Sequence, residues 1–201
     1  VLSDANAGSN EEQFDETATA AAQEEGIRLP ILMYHALVSE SKYQNTYFID
    51  PSIFEADLKY LKDNGYTTIV VADLIAYTEQ GTPLPEKPVM LTFDDGYYNN
   101  YLHAYSLLQK YGMKAVISPV GKLTDEYSII NNTHEYYAYL NWDRIREMSL
   151  SGTIEIQNHT YDLHHADGAA SIKRRSGESD EAYTERIQSD FLLFQTRMNE
   201  I

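Results

Sequence analysis

The sequence predicts an α/β fold, an incomplete (β/α) barrel with about five strand-helix units. Three observations carry this prediction. The apolar run Pro88-Val89-Met90-Leu91-Thr92-Phe93 reads as a parallel strand buried on both faces, and Ile154-Glu155-Ile156-Gln157 reads the same way. Strand and helix patterns alternate along the chain, the order that a parallel sheet with crossover helices requires. Acidic and histidine residues follow directly on these two runs, at the strand ends where α/β folds place their chemistry.

The units run in order. The first is a strand at 29–34 with a helix at 51–64, whose start is marked by Asp50-Pro51 and whose stop is Gly65; Phe54, Leu58 and Leu61 share one face. The second pairs 66–71 with 73–80. In the third, 88–93 precedes a helix at 101–111 that ends at Gly112 and aligns Leu107, Leu108 and Tyr111. The fourth joins 114–118 to a helix at 141–150, capped by Asn141 and stopped by Gly152. The fifth joins 153–157 to an amphipathic helix at 179–200, where Phe191, Leu192 and Phe194 require a partner surface. A closed barrel takes about eight units and roughly 250 residues, so this pattern leaves two open sheet edges. The expectation is a portion of a longer polypeptide, or a barrel completed by a partner fragment or chain.

The chemistry sits in two clusters. Thr92-Phe93-Asp94-Asp95-Gly96 closes one strand, and Asn158-His159-Thr160-Tyr161-Asp162-Leu163-His164-His165 follows another. Imidazole and carboxylate together suit zinc and related divalent ions, and a three-ligand site with an open position activates a water. One Asp would bind the ion and the other take the water's proton. Adjacent strand residues face opposite ways, but the strand gives way to a loop at Gly96, so both carboxylates can face the site.

These residues resemble the polysaccharide deacetylases of the NodB-homology type, carbohydrate esterase family 4. Thr92 to Gly96 match the first motif of that family residue for residue, and His159, Thr160 and His164 match its second. The resemblance implies Asp94 as general base and Asp95, His159 and His164 as ligands of a divalent metal, zinc expected, with cobalt, nickel, iron or manganese as alternatives. Histidines four apart are usual in the family; here position 163 is Leu, His164 is preferred as ligand, and His165 is the alternative. This wider spacing resembles the branch acting on poly-N-acetylglucosamine of biofilms, as does the strand Ile31-Leu32-Met33-Tyr34-His35, which implies that His35 lines the site. The later motifs of the family, with a supporting Arg and a late His as general acid, have no counterpart after His165. Residues 27–201 are thus expected to form the N-terminal portion of a deacetylase domain.

Composition bounds the setting. With 31 acidic against 15 basic residues the net charge is −16, which excludes nucleic acid and anionic membrane surfaces as partners and admits an N-acetylated glycan. The chain has no Cys, so no disulfide framework arises. Residues 1–26, acidic and poor in apolar anchors, read as a disordered leader, consistent with an upstream signal peptide or membrane tether and with an extracellular or cell-surface protein of a bacterium. Tyrosine is abundant, 17 residues against one Trp. Tyr97 is a candidate sugar contact; Tyr101 and Tyr105 read as a packing stripe, Trp142 as a packing residue, and His103 and His134 as surface or structural residues. The expected reaction is hydrolysis of an N-acetyl amide on an N-acetylglucosamine polysaccharide of biofilm or peptidoglycan. The alternatives are an O-acetyl xylan esterase of the same family and a glycan-binding module without turnover.

Overall fold

A computed structural model describes residues 26–164 and 171–201; the expected leader, except Gly26, and His165 lie outside the described residues. The five apolar runs form β1 (Ile31–Tyr34), β4 (Thr67–Ile69), β5 (Pro88–Asp95), β6 (Ala115–Pro119) and β7 (Ile154–Ile156) of one parallel sheet. Two short strands, β2 (Ala36–Leu37) and β3 (Phe48–Ile49), pair separately. The strand β5 is central. It pairs with β4 over Pro88–Met90, with β1 over Met90–Phe93 and with β6 over Thr92–Asp95, and β7 extends the sheet beyond β6.

The helices are α1 (Pro51–Asp63), α2 (Val71–Gln80), α3 (Ser106–Tyr111), α4 (Gly121–Ile130), α5 (Trp142–Leu150) and α6 (Asp180–Asn199). Their ends follow the expected signals. Asp50 accepts the Ser52 N–H before Pro51, Asn141 accepts the Arg144 N–H, and Gly112 ends α3 in a left-handed conformation. Alternation along β5 sorts its side chains between two layers. Val89, Leu91 and Phe93 pack with Phe54 and Leu58 of α1, Leu108 of α3, and Ile145 and Met148 of α5. Each fully buried side chain of this size contributes about 1.5–3 kcal/mol. Met90 instead packs with Ile69, Val70 and Val116 on the opposite face.

Two elements differ from the expectation. The helix α4 intervenes between β6 and α5, where the pattern suggests a direct connection. No side chain caps it; only Gly121 and Thr124 are buried, and Ile129 and Ile130 face solvent, so it has no apolar stripe to read. The helix expected at 101–111 opens with a π-helical segment, Asn100–Tyr105, before α3. Wider turns of this kind accumulate at functional sites. Here the buried Asn99 accepts the Leu37 N–H at 2.9 Å, and the buried Asn100 donates to the His35 carbonyl at 2.8 Å. Other expectations hold: Tyr101 stacks on Tyr105, Trp142 packs edge-on against Phe194, and Phe194 is buried; Phe191 and Leu192, grouped with it in the sequence, are instead exposed.

Candidate metal centre

Sheet register assembles the centre. Parallel pairing sets Asp94 beside Ser118 and Asp95 beside Pro119, and the Pro119 carbonyl accepts the His159 N–H at 3.3 Å. Asp95, Pro119 and His159 therefore stand abreast at the C-terminal ends of three neighbouring segments. On the other side of β5, Tyr34 pairs with Phe93, which brings His35 level with Asp94.

A turn resolves the problem of two adjacent aspartates. Asp94 follows Met90 and Thr92 onto the face opposite α1 and α3. At Asp95 φ is +68°, and the Gly96 N–H returns to the Asp94 carbonyl at 2.8 Å, a γ-turn that breaks the alternation. Asp tolerates positive φ better than most residues. Gly96 continues at φ +73°, and a Cβ there would lie 2.5 Å from Pro119 Cβ, so only glycine lets the two strand ends close.

The histidine loop rests on α4. Gly121 and Lys122 donate their N–H groups to the Thr160 and Tyr161 carbonyls at 3.1 and 2.8 Å. These are orphan donors of the first turn of α4, which explains how that helix starts without a capping side chain. Thr160 itself has φ +70°, and its Oγ1 accepts the Leu163 N–H at 3.1 Å. Its hydroxyl shapes the loop.

Asp95 Oδ1 lies 3.4 Å from His159 Nε2 and 3.3 Å from His164 Nε2, and the two imidazole rings are 4.6 Å apart. The three donor atoms lie within 4.8 Å of one another. Asp95 Oδ1 is buried and accepts no hydrogen bond. Burial lowers the His159 pKa below the ordinary histidine value, against the opposing pull of Asp94 and Asp95. At 3.4 Å, and with burial acting against the imidazolium, the Asp95–His159 approach does not satisfy the carboxylate oxygen. An unsatisfied buried oxygen costs about 1–3 kcal/mol, more when charged, and a cation between the three donors removes that cost. This group fits a divalent metal ion in charge, donor type and spacing.

Asp95 and His164 open into a cleft of about 360 Å³ walled by Tyr97, Tyr139, Lys122 and Glu126. Tyr97 stacks on Tyr139 at 4.8 Å and meets Phe48 edge-on. Burial, then its hydrogen bond with Tyr139, raises the Tyr97 pKa, so the phenol keeps its proton at physiological pH. His35 is half-buried, packs against Tyr47 at 4.9 Å, and is close enough for its charge to act on His159. His103 pairs with Glu135 at 2.8 Å, and the exposed His134 stacks on Tyr137, both apart from the Asp-His-His group.

The structure thus brings Asp94, Asp95, His159, His164, His35 and Tyr97 to one rim. Pro119, Gly121 and Asp190 also build it without a sequence signal of their own, and Tyr139 joins it from the tyrosine-rich stretch at 136–139. Pro119 and Gly121 contribute backbone contacts, Tyr139 ring packing and Asp190 its carboxylate, which accepts N–H groups of the histidine loop.

The family model for polysaccharide deacetylase matches residues 81–201. YxkH of Bacillus subtilis (strain 168), assigned by name to the polysaccharide deacetylases, is 36% identical over 83% of this chain and 54% of its own length. The poly-beta-1,6-N-acetyl-D-glucosamine N-deacetylase of Escherichia coli (strain K12) is 30% identical over 67% of this chain and 21% of its own length. The chain therefore spans about half and about a fifth of these two relatives. A solved de-N-acetylase from Aggregatibacter actinomycetemcomitans superposes with a TM-score of 0.71 at 29% identity, over 86% of this chain and 74% of that one. By this match over more than half of its length, which takes in β5, β6, β7 and the Asp-His-His group, the chain belongs to the polysaccharide deacetylase family.

Proposed function

We propose that this chain carries the metal-binding and general-base residues of an N-deacetylase acting on a poly-N-acetylglucosamine chain. One observation carries the reading: the buried, unpartnered Asp95 Oδ1 faces His159 and His164 at 3.4 and 3.3 Å. The names of the Escherichia coli relative and of the Aggregatibacter structure support the acetamide as the target.

Asp95, His159 and His164 would hold the ion, with His164 and not His165 as the second imidazole. Zinc suits this donor set, which leaves a coordination position open. A divalent cation held there would supply Lewis acidity, the chemistry that activates water and polarises a carbonyl. Asp94 takes the proton of the attacking water as the water's oxygen bonds to the acetyl carbon. The carbon–nitrogen bond then breaks, the nitrogen gains a proton, and acetate and a free amino sugar leave. Tyr97 offers the sugar an apolar face and a protonated hydroxyl, while His35 borders the glycan side of the rim. The polymer lies outside bacterial cells, so we place the protein there or at the cell surface.

The test is acetate release from N-acetylglucosamine oligomers, with metal content by elemental analysis, before and after chelation. Release is expected only from the metal-loaded chain. Asp94→Asn is expected to lower kcat by about 10²–10⁴-fold with metal content unchanged, and His159→Ala to remove the metal. Equal metal loss in both variants would refute the division of labour. Bound metal without acetate release from the wild type would identify a glycan-binding module, and preference for acetylated xylan would identify an O-esterase.

A further inference from the structure

We propose that Asp190, on α6, is a positioning residue for the metal centre: its carboxylate fixes the loop that presents His159 and His164. The proposal rests on the metal-binding reading above. The two oxygens of Asp190 accept consecutive backbone N–H groups, from Tyr161 at 2.8 Å and from Asp162 at 2.7 Å, and the residue is 9% exposed. Both donors lie between the two histidines. Thr160, at φ +70°, turns the chain just before them, and a left-handed residue in such a turn aims successive N–H groups at one point, the geometry that binds an anion. Here the anion is a protein carboxylate, held on a helix that starts beyond the loop.

A second strut acts in the same direction. Tyr161 Oη donates to Asp125 Oδ2 at 2.7 Å, and Asp125 also accepts from Trp142 Nε1 at 2.7 Å and pairs with Arg197 of α6 at 3.1 Å. The helix α6 thus grips the loop twice, once directly and once through α4. His164 depends on that grip, because its side chain is 55% exposed and little packing of its own fixes it. Charge-assisted hydrogen bonds are roughly twice as strong as neutral ones, so a carboxylate holds this loop better than an amide of the same shape.

The experiment uses cobalt(II) added to the metal-free chain, with the visible spectrum and affinity read together, and backbone hydrogen exchange at Tyr161 and Asp162 measured without metal. Asp190→Ala is expected to weaken cobalt binding by about 10–100-fold, the usual effect of removing a group that orients metal ligands. It should also alter the spectrum of the bound ion and speed exchange at these two amides. Asp190→Asn, nearly isosteric and able to accept with one oxygen, should fall between; it decides the matter if the alanine variant does not fold. A purely structural role would lower thermal stability and leave the cobalt spectrum and affinity intact, which would overturn the proposal. Failure of the metal reading is distinct, since the wild type itself would then take up no cobalt.

Discussion

At Asp95 three costs meet: a left-handed backbone, a buried carboxylate oxygen without a partner, and two imidazole nitrogens turned toward it. None of these contributes to packing, and the conformational term alone is about 1–2 kcal/mol for an L-residue. Local strain of this kind persists where function requires it. His159 carries the electrostatic consequence. Its folded pKa lies below the ordinary value near 6.5, because burial outweighs the carboxylates of Asp94 and Asp95. As pH falls below about 6.5 the unfolded chain takes up a proton that the folded chain still refuses. Unfolded chains then bind more protons, so stability drops through that window until the folded pKa is reached, whereas above it the term vanishes. Titration of the metal-free chain by histidine NMR should place His159 below 6.5. A midpoint above that value would mean that the carboxylates outweigh burial at His159, and that a cation would have to displace a proton there to bind.

At the level of elements, what was legible followed from how each piece is stabilised. The strand β5 and the helix α1 bury side chains in period and end on Pro, Gly or Asp, so pattern and punctuation locate them within a few residues. Both site clusters were legible because their side chains, aspartates and histidines directly after apolar runs, are themselves the signal. The helix α4 was not, since its first turn is satisfied by carbonyls of the histidine loop and its exposed Ile129 and Ile130 obscure any amphipathic period. Asp190 was hidden for the same reason: a carboxylate on a polar helix becomes meaningful only when the fold brings the loop to it. The join of β5 to β6 offers a direct test. A methyl group at position 96 would meet Pro119 Cβ at 2.5 Å and Cα at 2.8 Å, with φ at +73°. Overpacking and left-handed strain together should cost Gly96→Ala about 3 kcal/mol. Denaturant unfolding measures this, and metal affinity should fall with it, because Asp95 and His159 are aligned through Pro119. A loss under about 1 kcal/mol would show that the strand ends can separate freely.

Across the whole molecule, two forces oppose each other on the sheet face that carries Asp94. Ile31 and Met33 share that face with Met90 and Thr92 by register, and they are 56% and 58% exposed; among the described residues nothing covers them. Apolar surface left open in this way favours association with a second chain or with any segment able to cover it. The net charge of −16 works against self-association, since two copies approaching each other bring like fields together. Which one wins depends on salt, because the screening length falls from about 10 Å at 0.1 M to about 3 Å at 1 M while burial of apolar surface is not weakened. The 201-residue chain should therefore sediment as a monomer at low ionic strength and associate as salt rises. Replacing Ile31 and Met33 together by Lys should abolish the salt-induced association without moving the proposed metal ligands, which lie on β5 and in the loop after β7. Association that survives the double substitution would shift the contact to the other exposed apolar group, Phe191 and Leu192 on α6. In that case the face bearing Asp94 would be free for a glycan even in the assembled form.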